Sequence, residues 1–192
     1  MEDNYRPSRP YIFKRREMKG LSMEKLAFLD YRRLMSMQKE LCRTKNVANG
    51  KSPFELHLNW ILTQGEKVDT EMLCPQCKQS KIRNFMFTRR NGEPFVSLEY
   101  TACDDPNCIR SIKPSKNGVK VLPFKLSTLG HFSDKEEKKR VVSLFKRAFG
   151  LEKLRKDHIF ELLCKAEKRH LLVPFFIFNL DRSLFLSNNL RQ

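Results

Sequence analysis

Apolar residues recur at helical spacing in four stretches of the chain and form shorter strand-like runs between and after them. The helical spacing predicts helices over residues 22–45, 52–62, 133–150 and 156–172. The shorter runs predict a β-hairpin over 81–101, a short strand over 119–122 and a buried strand over 173–180. This order predicts an α+β protein in which a β-hairpin module is flanked by N-terminal and C-terminal α-helical segments. We expect three segments, over residues 1–66, 67–125 and 126–192.

Sequence signals at the helix ends support these helices. Ser22 is a candidate N-cap, the pairs Ser52/Glu55 and Ser133/Glu136 are spaced as capping boxes, and Gly150 suits a helix C-terminus. In the second helix, His57 and Trp60 are expected to be packing residues. The first helix places one arc of residues toward a core: Ala27, Tyr31, Leu34, Met35, Leu41 and Cys42. The third does the same with Val141, Leu144, Phe145, Ala148 and Phe149.

The hairpin prediction depends on the dipeptide Asn91-Gly92, which favours a two-residue type I′ turn. That turn sets Arg90 opposite Glu93 and Phe85 opposite Leu98. One face of the hairpin then becomes apolar and is expected to dock on a helix. Its members are Phe85, Phe87, Val96, Leu98 and Tyr100.

Four of the six cysteines form two close pairs, Cys74-Pro-Gln-Cys77 and Cys103-Asp-Asp-Pro-Asn-Cys108. Each pair has the spacing that presents two thiolates to one zinc ion, and the hairpin brings the pairs together. Four thiolates leave no open coordination position, so we predict one structural Zn²⁺ ion and no catalytic metal. Asp104 and Asp105 are expected to cap the second turn. The alternative is four reduced core cysteines, and the two remaining cysteines, Cys42 and Cys164, are expected to pack in the core.

Two stretches resemble known families. Residues 73–112, with the paired cysteines and the hairpin between them, resemble the zinc-ribbon class, although the second pair has four intervening residues where two are commonest. Residues 11–65 resemble the helical accessory segment of bacterial exonuclease-type proteins, which implies a nucleic-acid-processing context. That second resemblance is carried by Tyr11-Ile-Phe13, Lys19-Gly20, Ser22-Met-Glu-Lys-Leu26 and Asp30-Tyr31.

The chain has 38 Lys and Arg against 22 Asp and Glu, a net charge of +16 that is spread over all three segments. A positive field distributed over folded segments favours a polyanion partner, of which nucleic acid is the commonest. Lys25, Arg32, Lys39 and Arg43 form a predicted stripe on the first helix, for which a merely solvated face is the alternative. The full set of candidate nucleic-acid contacts is Lys25, Arg32, Lys39, Arg43, Lys78, Lys81, Arg89, Arg90, Lys139 and Lys146.

These patterns favour a nucleic-acid-binding zinc protein, a non-catalytic accessory factor in DNA or RNA processing such as replication, repair or transcription. A protein–protein interaction adaptor, working within a larger complex, is the alternative. A magnesium-dependent nuclease is third, because Glu137-Lys-Lys139 has a nuclease-like spacing but no wider catalytic constellation accompanies it. The longest apolar run, residues 171–180, is shorter than the roughly twenty that span a membrane. With no signal peptide expected, we predict a cytoplasmic protein, or a nucleoid or nuclear one in a compartmented host, without a membrane partner.

Overall fold

The structure is a computed structural model that describes residues 5–14, 16–44, 52–89, 96–112, 119–132 and 134–171. It combines helices with a small antiparallel sheet, which confirms the α+β prediction. Two 3₁₀ segments, Arg16–Met18 and Leu126–His131, accompany them. The predicted strand over 173–180 lies outside the described residues. In chain order the elements are α1 (Met23–Leu29), α2 (Tyr31–Thr44), α3 (Pro53–Lys67), β1 (Asn84–Arg89), β2 (Val96–Ala102), α4 (Pro106–Ile112), β3 (Val119–Pro123), α5 (Lys135–Ala148) and α6 (Lys156–Leu171).

The single helix predicted over 22–45 is two helices that meet at Asp30, so that prediction was wrong. Ser22 caps α1 as expected, since its hydroxyl accepts a hydrogen bond from the Lys25 N–H at 3.1 Å. The Asp30 N–H closes α1, while its carboxylate accepts from the Arg33 N–H at 3.3 Å and opens α2. Lys25 therefore lies on a different helix from the rest of the predicted basic stripe.

The break also changes which residues reach the core. Ala27, Tyr31 and Leu34 are buried as predicted. Met35 is 41% exposed and Cys42 is exposed, so their assignment to the core was wrong. Leu41 is half-buried and packs against the main core, so the predicted core face fails at Met35 and Cys42 alone.

The helix α3 begins as predicted, with the Ser52 hydroxyl accepting from the Glu55 N–H at 3.2 Å. It runs to Lys67, five residues beyond the predicted end at 62. Gly65 lies inside this extension and allows a close helix approach, because a Cβ there would lie 3.2 Å from the Tyr31 hydroxyl of α2.

The sheet has the strand order β2-β1-β3, and both pairs are antiparallel. The short strand predicted over 119–122 is present as β3 and pairs with β1. The register predicted for β1 and β2 was wrong: Phe85 lies opposite Thr101 rather than Leu98, a shift of three residues. Because the shift is odd, Tyr100 shares the face of Met86 and not that of Phe85. Arg89 pairs with Val96, and the turn predicted at Asn91-Gly92 lies outside the described residues.

Phe85 and Phe87 are buried, as predicted, against aromatic rings of later elements. Phe85 meets Phe132 at 5.7 Å between centroids and Phe145 at 6.0 Å. The cap of α5 is Asp134, whose carboxylate accepts from two backbone N–H groups, and Gly150 follows this helix with a φ of +66°. The predicted core face of α5 is confirmed by the complete burial of Val141 and Phe145.

One buried hydrophobic cluster contains residues of all three predicted segments. The helix α6 packs against α1 and α3, and the 3₁₀ segment Leu126–His131 packs against α2, α3 and α5. The division into segments over 1–66, 67–125 and 126–192 thus stays a sequence-based prediction, while the packing joins them. Among the described residues, the structure has no helix of the length and apolar character that crossing a membrane requires.

Candidate metal centre

The four paired cysteines converge in space as their spacing predicts. The Sγ atoms of Cys74, Cys77, Cys103 and Cys108 all lie within 4.8 Å of one another. The Sγ atoms of Cys77 and Cys103 are 3.9 Å apart, close to the roughly 3.8 Å edge of a tetrahedron with 2.3 Å zinc–sulfur bonds. Cys74, Cys103 and Cys108 are buried, whereas Cys77 is half-buried. A closed set of four thiols fits one tetrahedral metal ion.

Backbone hydrogen bonds shape the first cysteine turn. The Cys74 N–H donates to the Ser80 carbonyl at 2.7 Å, and the Lys78 N–H donates to the Cys74 carbonyl at 2.8 Å. Lys78 takes a left-handed conformation with a φ of 54°, which turns the chain back so that Lys81 can pair with Leu73. These bonds hold the two thiols of this turn on one side of the loop.

The second turn is held by two acidic side chains. The Asp105 carboxylate accepts from the Asn107 N–H at 2.8 Å at the start of α4, so it caps the turn as predicted. The Asp104 carboxylate instead accepts from the Asn84 side-chain amide at 2.9 Å, and the same amide donates to the Cys103 carbonyl at 3.1 Å. Asn84, the first residue of β1, thereby links this strand to the second cysteine pair.

The four thiols have different acidities. Backbone hydrogen bonds from Ser80 and Gln79 lower the pKa of Cys77 to about 6. Burial raises the pKa of Cys74, but backbone hydrogen bonds led by that of Cys77 outweigh it and leave this pKa lowered. Burial raises the pKa values of Cys103 and Cys108. The first turn therefore holds the more acidic thiols of the centre.

Charged and polar side chains fix this module to its surroundings. Arg83 donates to the Asp69 carboxylate at 2.8 Å, and the Lys81 ammonium lies 2.7 Å from the Glu71 carboxylate. The Thr70 hydroxyl donates to the Ala148 carbonyl at 2.5 Å, which connects the segment before Cys74 to the end of α5. No local sequence pattern predicts this contact, since its two residues are 78 positions apart.

The predicted nucleic-acid contacts do not all lie in one region of the structure. Lys81 is engaged by Glu71, and Lys78 is exposed beside the cysteines. The backbone of Arg89 pairs with Val96, but its side chain, and Arg90 altogether, lie outside what the structure describes. Away from the metal centre, Lys139 on α5 and three residues of α2 are exposed, whereas Lys25 and Lys146 are half-buried. Those three residues are Arg32, Lys39 and Arg43.

A buried histidine–glutamate contact lies in the helical part of the molecule, and no sequence signal revealed it. His57 Nε2 lies 2.6 Å from a Glu24 carboxylate oxygen, and both side chains are buried. The same oxygen accepts from the Tyr11 N–H at 3.2 Å, and the Tyr5 hydroxyl lies 3.5 Å from His57 Nδ1. His57 and Trp60 are both buried, which confirms their packing role.

The assignment of the four cysteines to a metal ion rests on their sequence spacing, their convergence and the chemistry of thiolates. The resemblances to the zinc-ribbon class and to the exonuclease accessory segment stay predictions. No family model matches this chain, and comparison with curated proteins and with solved structures found no match.

Proposed function

We propose that this protein is a nucleic-acid-binding zinc protein that acts as a non-catalytic accessory factor in DNA or RNA processing. The observation that carries the proposal is the convergence within 4.8 Å of four thiols, two from the segment before β1, one directly after β2 and one in α4. In this proposal residues 73–112 are a zinc ribbon, and the protein works in the cytoplasm or at the nucleoid or nucleus.

Zinc, when bound by these four thiolates, supplies a structural cross-link and no open position for a reacting molecule. Residues of the chain around the cysteines orient the four thiols. Asn84 and Asp105 orient the second cysteine pair, and the left-handed turn at Lys78 orients the first. The centre therefore suits a role in holding shape.

Nucleic-acid binding is supported by how basic side chains of separate elements are arranged. The Arg32 guanidinium of α2 donates to the Gly130 carbonyl, next to the exposed His131. The Lys138 ammonium of α5 lies 3.5 Å from Asp30, which opens α2. The start of α5 and the start of α2 thus meet at one surface, and the molecule has a net charge of +16. The large net charge, with Arg32 exposed at this surface, favours a polyanion partner.

A second candidate, a protein-interaction adaptor, is favoured by one observation. Six large hydrophobic side chains are exposed among the described residues, and four of them lie in or beside the cysteine module. They are Met72 at 39%, Leu73 at 50%, Tyr100 at 36% and Val121 at 41% exposure. Apolar side chains grouped in this way are typical of a protein contact. The third candidate, a nuclease using Glu137, gains no support, because that carboxylate is only 1% exposed.

The test is binding of the zinc-loaded protein to single- and double-stranded DNA and RNA, each titrated with salt between roughly 50 and 200 mM. We expect measurable binding whose affinity falls steeply with salt, because phosphate contacts release counterions. Weak binding that is equal for single- and double-stranded DNA and RNA and vanishes at the higher salt would contradict the proposal and favour the adaptor.

A further inference from the structure

Three basic residues of α2 form a straight row, which we call the α2 stripe: Arg32, Lys39 and Arg43. They are seven and four residues apart, so they lie on one side of the helix and span about 16 Å. All three side chains are exposed. Because Lys25 belongs to α1, the stripe begins at Arg32.

Arg32 is exposed and yet held in place. Its Nε and Nη2 atoms both donate to the Gly130 carbonyl, at 3.1 and 2.9 Å. A guanidinium has five N–H donors, so three remain for a ligand. An arginine fixed in this way loses less side-chain freedom when it binds a phosphate.

A groove of about 1140 Å³ runs along α2 beside the stripe. Its far wall includes the half-buried rings of Tyr11 and Phe54, whose centroids are 5.6 Å apart. Aromatic rings at the side of a basic surface are what proteins use to stack unpaired bases. The stripe supplies the basic surface and the groove supplies the rings.

Charges inside the groove suit bases better than phosphates. The lining residues include three cations and three acids, so the groove has no net charge. Exposed carboxylates such as Glu17 and Glu40 accept hydrogen bonds from exocyclic amino groups of bases and repel phosphates. The sugar–phosphate backbone therefore belongs on the stripe, which borders the groove at Arg32, while Lys39 and Arg43 lie outside it.

We propose that the α2 stripe and the adjoining groove bind single-stranded nucleic acid, with the phosphates on the stripe and the bases in the groove. The proposal rests on the proposed function and adds the location and the strandedness. A duplex keeps its bases paired and stacked, so it reaches the stripe but cannot place bases against Tyr11 and Phe54.

The first test removes charge from the stripe. The zinc-loaded full chain with Lys39→Gln and Arg43→Gln is compared with a control that carries Lys153→Gln and Lys156→Gln. The control loses the same charge. Its two lysines are exposed and follow the C-terminal end of α5, whereas Lys138 lies near the N-terminal end. With a single strand of about twelve nucleotides, we expect the stripe variant to lose about 1.4 from the log–log salt slope and the control to lose nothing.

The second test addresses the groove. Phe54→Leu keeps an apolar side chain but removes a stacking ring, and Phe160→Leu is its control, since that ring packs on Trp60 and does not line the groove. We expect Phe54→Leu to weaken single-strand binding by about 5- to 150-fold and to leave duplex binding unchanged. Phe160→Leu should change neither.

Each result decides a separate statement. If the unaltered chain binds no nucleic acid, the proposed function fails. If it binds and the stripe variant matches its control, the function stands and this surface is wrong. Duplex binding as tight as single-strand binding would overturn the placement of bases in the groove. Equal competition by polyglutamate of matched charge would overturn it too and point to an acidic protein.

Discussion

At the scale of single residues, Lys78 carries the clearest backbone strain. Its left-handed φ of 54° is costly for a residue with a Cβ and ordinary for glycine. We expect Lys78→Gly to raise the free energy of unfolding of the zinc-loaded protein by up to about 1 kcal/mol, measured by denaturant titration. Lys78→Ala loses the same charge but keeps the strain, so a matching gain in that variant would contradict the explanation.

The buried pair of Glu24 and His57 gives a second prediction at this scale. His57→Leu removes the 2.6 Å contact and leaves a buried carboxylate without its main partner. We expect a loss of about 3–5 kcal/mol in the free energy of unfolding, measured in urea. Adding Glu24→Met should recover part of that loss, because no buried polar group then lacks its partner. A loss below about 1 kcal/mol for His57→Leu alone would count against the pair.

At the scale of elements, zinc removal should not act on the sheet uniformly. Phe85 and Phe87 of β1 pack in the main core, whereas the cysteines form a small separate cluster and α4 packs on the other face of the sheet at Met86 and Ala102. We expect chelation to release the backbone amides of residues 74–80 and of α4 to hydrogen exchange while those of β1 stay protected. Equal loss of protection throughout the chain, or no change anywhere, would contradict this division.

The elements also show what the sequence can predict. The caps at Ser22 and Ser52, Gly150 after α5 and the spacing of the four cysteines are local patterns, and the structure confirms them. The break at Asp30 was missed because the apolar spacing continues across it, although an aspartate before Tyr31 is a known N-cap signal.

The strand register shows the opposite case. The Asn91-Gly92 signal is local, but the register is set by distant partners. β3 pairs along β1. The observed register also places Cys103 beside Asn84, whose amide donates to the Cys103 carbonyl and holds this cysteine near the other three. No pattern within the hairpin carries that information. The Glu24–His57 pair was missed for the same reason, since 33 residues separate its members.

At the scale of the whole molecule, the metal centre and the basic surface belong to one packed structure. The Thr70 hydroxyl joins the segment before Cys74 to α5, and Lys138 of α5 reaches Asp30 at the start of α2. The segment that holds the first cysteine pair is therefore linked through α5 to α2, whose exposed face carries the proposed nucleic-acid surface. The net charge of +16 is therefore carried by the packed helices as well as by the segment that holds the cysteines.

The most direct test of this account is the zinc content of freshly purified, reduced protein, measured by native mass spectrometry. We expect one zinc ion per chain, retained in Cys42→Ser because that exposed cysteine lies outside the cluster, and lost in Cys77→Ser. Unaltered protein without zinc, or a Cys77→Ser variant that keeps it as tightly, would contradict the central claim that these four cysteines hold a structural metal.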